Sequence, residues 1–294
     1  MKAVFIGCVE SSYRTLKALI DYDEINLVGV VTRKVSPFNA DFISLDRLAN
    51  DNGIPVFYAD ENQRDDMSDW IEAHEPDIGF CIGWSYLLPP QILSIPSAGF
   101  VGYHPALLPR NRGRHPIIWA LALGLDVTGS TFFMMDKGAD SGDIVSQEQV
   151  PIHPDDDAGT LYARLLDVAE SQILNIAAHI TSDTLTRYPQ DNAAATYWRK
   201  RSKQDGQIDW RMPAEGIRNL VRALAPPYPG AHCIVNDQEC KVHKVETVVA
   251  DIDLEPGRVM SVTKNVITIK AGVDAVRLIK HDIDDLPQPL DCLS

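Results

Sequence analysis

No stretch of this 294-residue chain approaches the roughly 18 consecutive apolar residues that a helix needs to cross a bilayer, so helical membrane spans are excluded and no membrane partner is expected. The opening Met1-Lys-Ala-Val-Phe-Ile-Gly7 is too short an apolar run for a secretion signal and meets Glu10 too soon, so it reads as a first core strand. Cysteine is sparse and unpatterned. Cys8, Cys81, Cys233, Cys240 and Cys292 are odd in number and form no CxxC pair or Cys/His cluster. A disulfide framework and a structural zinc site are therefore excluded, and a reducing, cytoplasmic location is expected. The histidines show no HExxH or other metal spacing, and no catalytic metal is expected. The first loop, Gly7-Cys-Val-Glu-Ser-Ser12, lacks a GxGxxG pattern, so a nicotinamide cofactor is not supported. Ser11 or Ser12 is expected to cap the helix that follows. Basic charge is also in deficit. Lys and Arg number 27 against 41 Asp and Glu, a net −14 that repels polyanions, so no nucleic-acid partner is expected.

What is present is the composition of a globular protein, 45% hydrophobic and 23% charged, long enough for one large and one small domain. Short apolar runs over 4–7, 26–32, 55–58, 77–82 and 99–101, rich in β-branched and aromatic residues, read as buried strands. Helical spacing lies between them over 13–20, 43–50 and 67–73, the last stopped by Pro76. This alternation predicts an α/β fold with a Rossmann-like, doubly wound, mostly parallel sheet. Asp155-Asp-Asp157 opens a long apolar-periodic helix reaching Ile180, with acidic residues suited to its N-terminal dipole, and the helix is expected to pack on the sheet. The pattern shifts near Gln204-Asp-Gly206, which suggests a catalytic domain over 1–203 and a smaller, mainly-β, OB-like domain over 204–294. There, a helix over 214–223 and Pro226-Pro-Tyr-Pro-Gly230 precede alternating runs at 231–235, 241–249, 258–262, 266–270 and 276–279. Residues 206–294 hold ten Lys/Arg and thirteen Asp/Glu, a net −3. The stretch His281-Asp-Ile-Asp-Asp-Leu-Pro287 reads as a loose acidic tail.

Chemistry is concentrated in Gly102-Tyr-His-Pro-Ala-Leu-Leu-Pro-Arg-Asn-Arg-Gly113 and Met135-Asp-Lys-Gly-Ala-Asp-Ser-Gly-Asp-Ile144. These place His104 and Asp140 on separate loops, each following an apolar run, where an open α/β sheet carries its reactive groups. A carboxylate beside a histidine favours its charged form and makes it a stronger donor to a developing oxyanion. Arg110, Arg112 and Arg114 form a local basic cluster beside His104 in an otherwise acidic chain, which suggests a compact anionic ligand; holding the loop is the other reading.

These phrases, together with Asp77-Ile-Gly-Phe-Cys-Ile-Gly-Trp-Ser-Tyr-Leu-Leu-Pro-Pro90 and Thr128-Gly-Ser-Thr131, resemble the folate-dependent formyltransferase family, from Met1 to about Gly230. Ile208-Asp-Trp210 and Ile217-Arg-Asn-Leu-Val-Arg-Ala-Leu-Ala-Pro-Pro-Tyr-Pro-Gly-Ala231 look most like its sugar N-formyltransferase branch. The resemblance implies the formyltransferase fold and transfer of a formyl group from N10-formyltetrahydrofolate to the amine of a nucleotide-linked amino sugar. It implies His104, Asp140 and the position of Gly102 as the catalytic set, with Trp84, Ser85, Tyr86, Leu87, Leu88, Asp136 and Gly138 toward the folate. Arg110, Arg112, Arg114 and Tyr228 would then serve the substrate. One departure stands out: the family motif reads Asn-x-His, and its asparagine position is Gly102, which has no side-chain donor. A backbone N–H or a fixed water near Gly102 is one way to make good the loss. Three other readings stay open: methionyl-tRNA formylation, a folate- or nucleotide-binding protein that lost its chemistry with the asparagine, and an acyltransferase with another acyl donor in a loosened pocket. A homodimer through the C-terminal sheet is a further expectation.

Overall fold

A computed structural model describes residues 1–36, 39–59, 64–251 and 253–293. The chain divides into two compact units: Met1–Pro116, Thr128–Pro151 and Ala163–Trp198 form the first, and Ile117–Val127, Ile152–Tyr162 and Arg199–Ser294 the second. The first is built on strands β1 (Lys2–Ile6), β2 (Asn26–Thr32), β3 (Val56–Tyr58), β4 (Ile78–Cys81) and β5 (Phe100–His104). Helices α1 (Glu10–Ile20), α2 (Asp46–Asp51), α3 (Arg64–Ala73) and the short α4 (Pro90–Leu93) alternate with them. There follow in the chain β6 (Arg112–Gly113), α5 (Pro116–Ala122), β7 (Val127–Met134), β8 (Ile144–Pro151), α6 (Ala158–Thr181) and β9 (Tyr197–Trp198), of which α5 after Pro116 and the start of α6 through Tyr162 belong to the second unit.

Seven strands form one sheet in the order β3-β2-β1-β4-β5-β7-β8. The pairs from β3 through β5 are parallel, and β5 pairs with β7 antiparallel. The two-residue periodicity of an extended chain divides the apolar residues of β1 between two layers. Ala3 and Phe5 join one core with Leu16 and Leu19 of α1 and Ala169, Ile173 and Ile176 of α6. Val4 and Ile6 join the other, with Met67 and Ile71 of α3 and Ile92 of α4. A strand enclosed on both faces reads as an unbroken apolar run because neither face meets water. Each fully buried large apolar side chain stabilises by about 1.5–3 kcal/mol, so this sheet needs no metal or disulfide to hold it. The α6 residues that enter the core recur at three- and four-residue spacing, a single helical face. The serine expectation at the first helix changes in detail. Ser12 is not the cap; it lies inside α1, where its Oγ accepts from the amides of Cys8 and Val9 (both 3.1 Å) and donates to Ile82 O (2.6 Å). It thereby joins the loops that follow β1 and β4.

In the second unit, α7 (Ala214–Ala223) precedes β10 (Ala231–Val235), β11 (Gln238–Val248), β12 (Val259–Thr263), β13 (Val266–Lys270) and β14 (Ala275–His281). These form an antiparallel sheet in the order β10-β11-β14-β13-β12. Asn236 and Asp237, at φ 49° and 61°, form the two-residue connection of the first hairpin, where the left-handed region matches strand twist. The expected acidic tail is not loose. His281 ends β14, Ile283 is buried, and Leu290 N and Leu293 N donate to Val259 O and Gly257 O (both 2.9 Å). Apolar residues spaced among the acidic ones fasten the end of the chain to the sheet. Among the described residues, no helix is long and apolar enough to cross a membrane.

All five cysteines are free thiols, and only Cys292 is exposed. Burial pushes the Cys8 thiol up to about 11 and the Cys233 thiol up to about 12, keeping both protonated and poorly nucleophilic at neutral pH. An alkylating reagent near neutral pH should therefore modify Cys292 alone in the native protein and every cysteine after denaturation, as counted by intact-mass spectrometry. Rapid labelling of a second native thiol would contradict this packing.

Candidate active site

His104 is the last residue of β5 and is buried. Its Nε2 lies 2.7 Å from the carbonyl oxygen of Asn111, and because a carbonyl only accepts, Nε2 carries a proton. The other ring nitrogen, Nδ1, lies 3.6 Å from Asp140 Oδ2, within ion-pair reach and beyond a direct hydrogen bond. The same Oδ2 accepts from the backbone N–H of Gly113 at 2.8 Å. The loop after His104 is secured by side chains of β7 and β8: Thr131 Oγ1 donates to Ala106 O (2.6 Å) and Gln147 Nε2 to Leu108 O (2.9 Å).

The route by which Asp140 arrives follows from strand direction. Val101 lies opposite Met134 and His104 opposite Thr131, so the chain leaves β7 at the end of β5 away from His104. The 135–143 loop must double back. Asp136 closes its turn, with Oδ1 accepting from Gly138 N (2.9 Å) and Ser141 Oγ (2.7 Å), and Gly142 packs so close to Met134 O that a Cβ would lie 1.7 Å from it. Asp140 sits at φ 54°, in the left-handed region that aspartate enters more readily than most non-glycine residues.

Gly102 is not at positive φ, so glycine is required there by space rather than by backbone conformation. An added Cβ would lie 2.9 Å from Met135 Cγ and 3.0 Å from Phe133 Cζ. Gly102 and His104, two residues apart, share a sheet face. On it, Phe133 and Met135 fill the space in which a side chain at 102 would start. β5 is also flanked by β4 and β7 at this level, with Gly102 opposite Cys81 and Phe133.

The three arginines part company. Arg112 is buried, with Nε and Nη2 donating to Gln190 Oε1 (3.1 and 2.7 Å), Nη2 also to Asn192 Oδ1 (3.0 Å), and Nη1 to the Tyr197 hydroxyl (2.9 Å). Expected as a substrate contact, it instead spends its donors on holding the loop. Arg110 and Arg114 are exposed, and Arg114 Nη1 donates to Ser85 O (2.6 Å). Ser85 belongs to the 83–88 loop, which turns at Gly83 (φ 64°). In that loop Trp84 packs against the core, Leu88 is buried, and Leu87 is exposed. Tyr86 accepts from Arg33 Nη1 at 2.9 Å. Tyr228 belongs to the second unit, half-buried, its amide donating to Ala225 O (3.1 Å).

Sequence reasoning missed Asn111, Gln190, Thr196 and Tyr197. Asn111 lies in the His104 loop but acts through its backbone carbonyl, which no side-chain motif reveals, while Gln190, Thr196 and Tyr197 are polar residues in a segment without periodicity that nothing in the chain marks as a neighbour of His104. Among the described residues, no three His, Cys, Asp or Glu side chains gather as a metal site requires.

Residues 3–177 match the family described as Formyl transferase, and residues 200–285 match Formyl transferase, C-terminal domain. The chain is similar to Methionyl-tRNA formyltransferase of Marinobacter nauticus, at 31% identity over 289 residues that cover 95% of this chain and 90% of that protein. Its fold is similar to that of the N-formyltransferase from Helicobacter canadensis solved with folinic acid and dTDP-3-aminofucose. That likeness has a TM-score of 0.70 at 18% identity, covering 95% of this chain and 99% of that one. It is also similar to WlaRD, a sugar 3N-formyl transferase solved in the presence of dTDP and 5-N-formyl-THF, with a TM-score of 0.69 at 19% identity, covering 97% and 99% of the two chains. On both its N-terminal and C-terminal domains, the chain belongs to the formyl transferase family.

Proposed function

We propose that the protein transfers a formyl group from N10-formyltetrahydrofolate to the primary amine of a nucleotide-linked amino sugar. The observation that carries this reading is the pairing of the buried His104 Nδ1, at the end of β5, with Oδ2 of the half-buried Asp140. The folate supplies the formyl group and a nitrogen that leaves with a proton. Loop 83–88 suits the flat head of such a donor: Trp84 and Tyr86 stand 5.9 Å apart beside the exposed Leu87, while Leu88 anchors the loop in the core. Ser85 lies at the Arg114 side, and Asp136 and Gly138 shape the neighbouring turn. Arg110 and Arg114 are the members of the basic cluster with solvent-facing side chains, as an acceptor carrying phosphate requires.

With Nε2–H committed to Asn111 O, Nδ1 is the ring nitrogen left for the reaction. Neutral Nδ1 accepts the proton released by the attacking amine. The imidazolium that results faces Asp140, whose opposite charge stabilises it. Its Nδ1–H then serves the oxygen that gains negative charge and returns the proton to the departing nitrogen. Phe133 and Met135 fill the space beside Gly102. That filling supports a small acyl group and weighs against a loosened pocket for a larger one.

The relatives named as methionyl-tRNA formyltransferases favour a second reading, an amine carried on tRNA. The charge distribution of the C-terminal residues weighs against it. Arg211, Arg218, Lys241, Arg258 and Arg277, half of the ten basic residues over 206–294, each face a carboxylate, from Asp209, Glu215, Glu239, Glu255 and Glu246 in turn, and the net −3 of that stretch disfavours a polyanion.

Incubation with N10-formyltetrahydrofolate and a panel of nucleotide amino sugars should add one formyl group to at least one of them, detected by mass, and His104→Ala should lower that rate by about 10²–10³. Formylation of methionyl-tRNA alone would select the second reading, and no product from either class would sink both. For Gly102→Asn, crowding against Phe133 and Met135 should cost about 1–3 kcal/mol in urea unfolding without raising turnover. A faster enzyme of unchanged stability would mean that those two side chains yield freely.

A further inference from the structure

The segment over 188–198 is fastened to both catalytic loops. Tyr188 and Ile144 exchange backbone hydrogen bonds (both 2.8 Å), which ties the segment to the end of the Asp140 loop. At its other end, Thr196 Oγ1 accepts from Asn111 N (2.8 Å), Thr196 O from Arg112 N (2.9 Å), and Trp198 O from Arg114 N (3.1 Å). β6 and β9 pair in parallel there. Between these anchors, Gln190 reaches both loops with one side chain. Its Nε2 donates to Asp140 O (2.9 Å) and Gly142 O (2.6 Å), while its Oε1 accepts the two hydrogen bonds from Arg112. The partners fix the amide orientation, since a guanidinium only donates and carbonyls only accept.

We propose that Gln190 is a positioning residue for the formyl transfer proposed above, setting the separation between Asp140 and His104; the assignment rests on that reading. Its carboxamide bridges the Asp140 backbone, held at positive φ, to Arg112, the residue between the Asn111 carbonyl that orients His104 and the Gly113 amide that binds Asp140. No isosteric side chain repeats this. A glutamate keeps the acceptor for Arg112 but loses both donors and turns an oxygen toward two carbonyls. Asparagine is one methylene too short.

Gln190→Glu and Asn192→Ala separate positioning from simple support, because Asn192 touches Arg112 and not the Asp140 loop. Gln190→Glu should lower kcat by about 10- to 100-fold with KM for both substrates nearly unchanged, the size expected when reacting groups are displaced by about an ångström. It should also speed hydrogen exchange of the Gly113 amide, which Asp140 protects, at an unchanged thermal midpoint. Asn192→Ala, which takes one of two acceptors from Arg112 Nη2 and leaves the Gln190 bridge to the Asp140 loop in place, should lower kcat and Gly113 protection far less than Gln190→Glu. Wild-type kcat and Gly113 protection in Gln190→Glu would overturn the proposal. So would equal losses in the two variants, which would reduce Gln190 to a support for Arg112. Should Gln190→Glu fold poorly, Gln190→Met, which also lacks the donors, gives the same two readouts. If the wild-type protein formylates nothing, the functional reading fails, and Gly113 exchange still decides whether Gln190 holds the Asp140 loop.

Discussion

The backbone of Asn111–Gly113 makes two hydrogen bonds on which the candidate site depends. The carbonyl of Asn111 takes the Nε2 proton of His104, and the amide of Gly113 holds Asp140 Oδ2. Imidazole and carboxylate, 36 positions apart in the chain, therefore answer to the same three residues. The side chain between those two bonds, Arg112, is buried against uncharged partners. Burying a guanidinium this way is tolerable only when its donors are met, and Gln190, Asn192 and Tyr197 meet them. The rigidity of the site is thus an outcome of satisfying a buried charge.

The sheet supplies the platform. Apolar residues alternating through β1, β4 and β5 make two cores at once, so the strand ends beneath the site are fixed on both faces. His104 and the 83–88 loop emerge from the carboxyl ends of neighbouring parallel strands, the usual position for ligand sites in such sheets. Asp140 does not. It follows β7, which runs against β5, and needs the nine-residue 135–143 turnback, closed by Asp136 and Gly142, to reach the histidine.

Much of this was legible in the chain. The strands of the parallel half, the helix through α6 and the hairpins of the C-terminal sheet follow from periodicity, because burial on one or two faces writes itself into the spacing of apolar residues. His104 and Asp140 stood out through their glycine- and proline-rich settings. The antiparallel direction of β7 was not legible, since an apolar run carries no sign of direction. Nor was the partition of the arginines: Arg110, Arg112 and Arg114 look alike in sequence, and only the turn of β6 sends the middle one inward. Gln190 and Thr196 gave no signal, because a hydrogen-bond network between distant loops imposes no period. The tail after β14 was misread because its charges outnumber the few apolar residues that pin it.

Gly102 carries a consequence for how this chain can vary. Its missing side chain is not an empty place: Phe133 of the neighbouring strand and Met135 of the loop beyond occupy it. Residues 102, 133 and 135 therefore form an interlocked set in which the acceptable identity of each depends on the other two. An asparagine placed at 102 would oblige both of those side chains to give way, and trimming either one with 102 left as glycine would open a void.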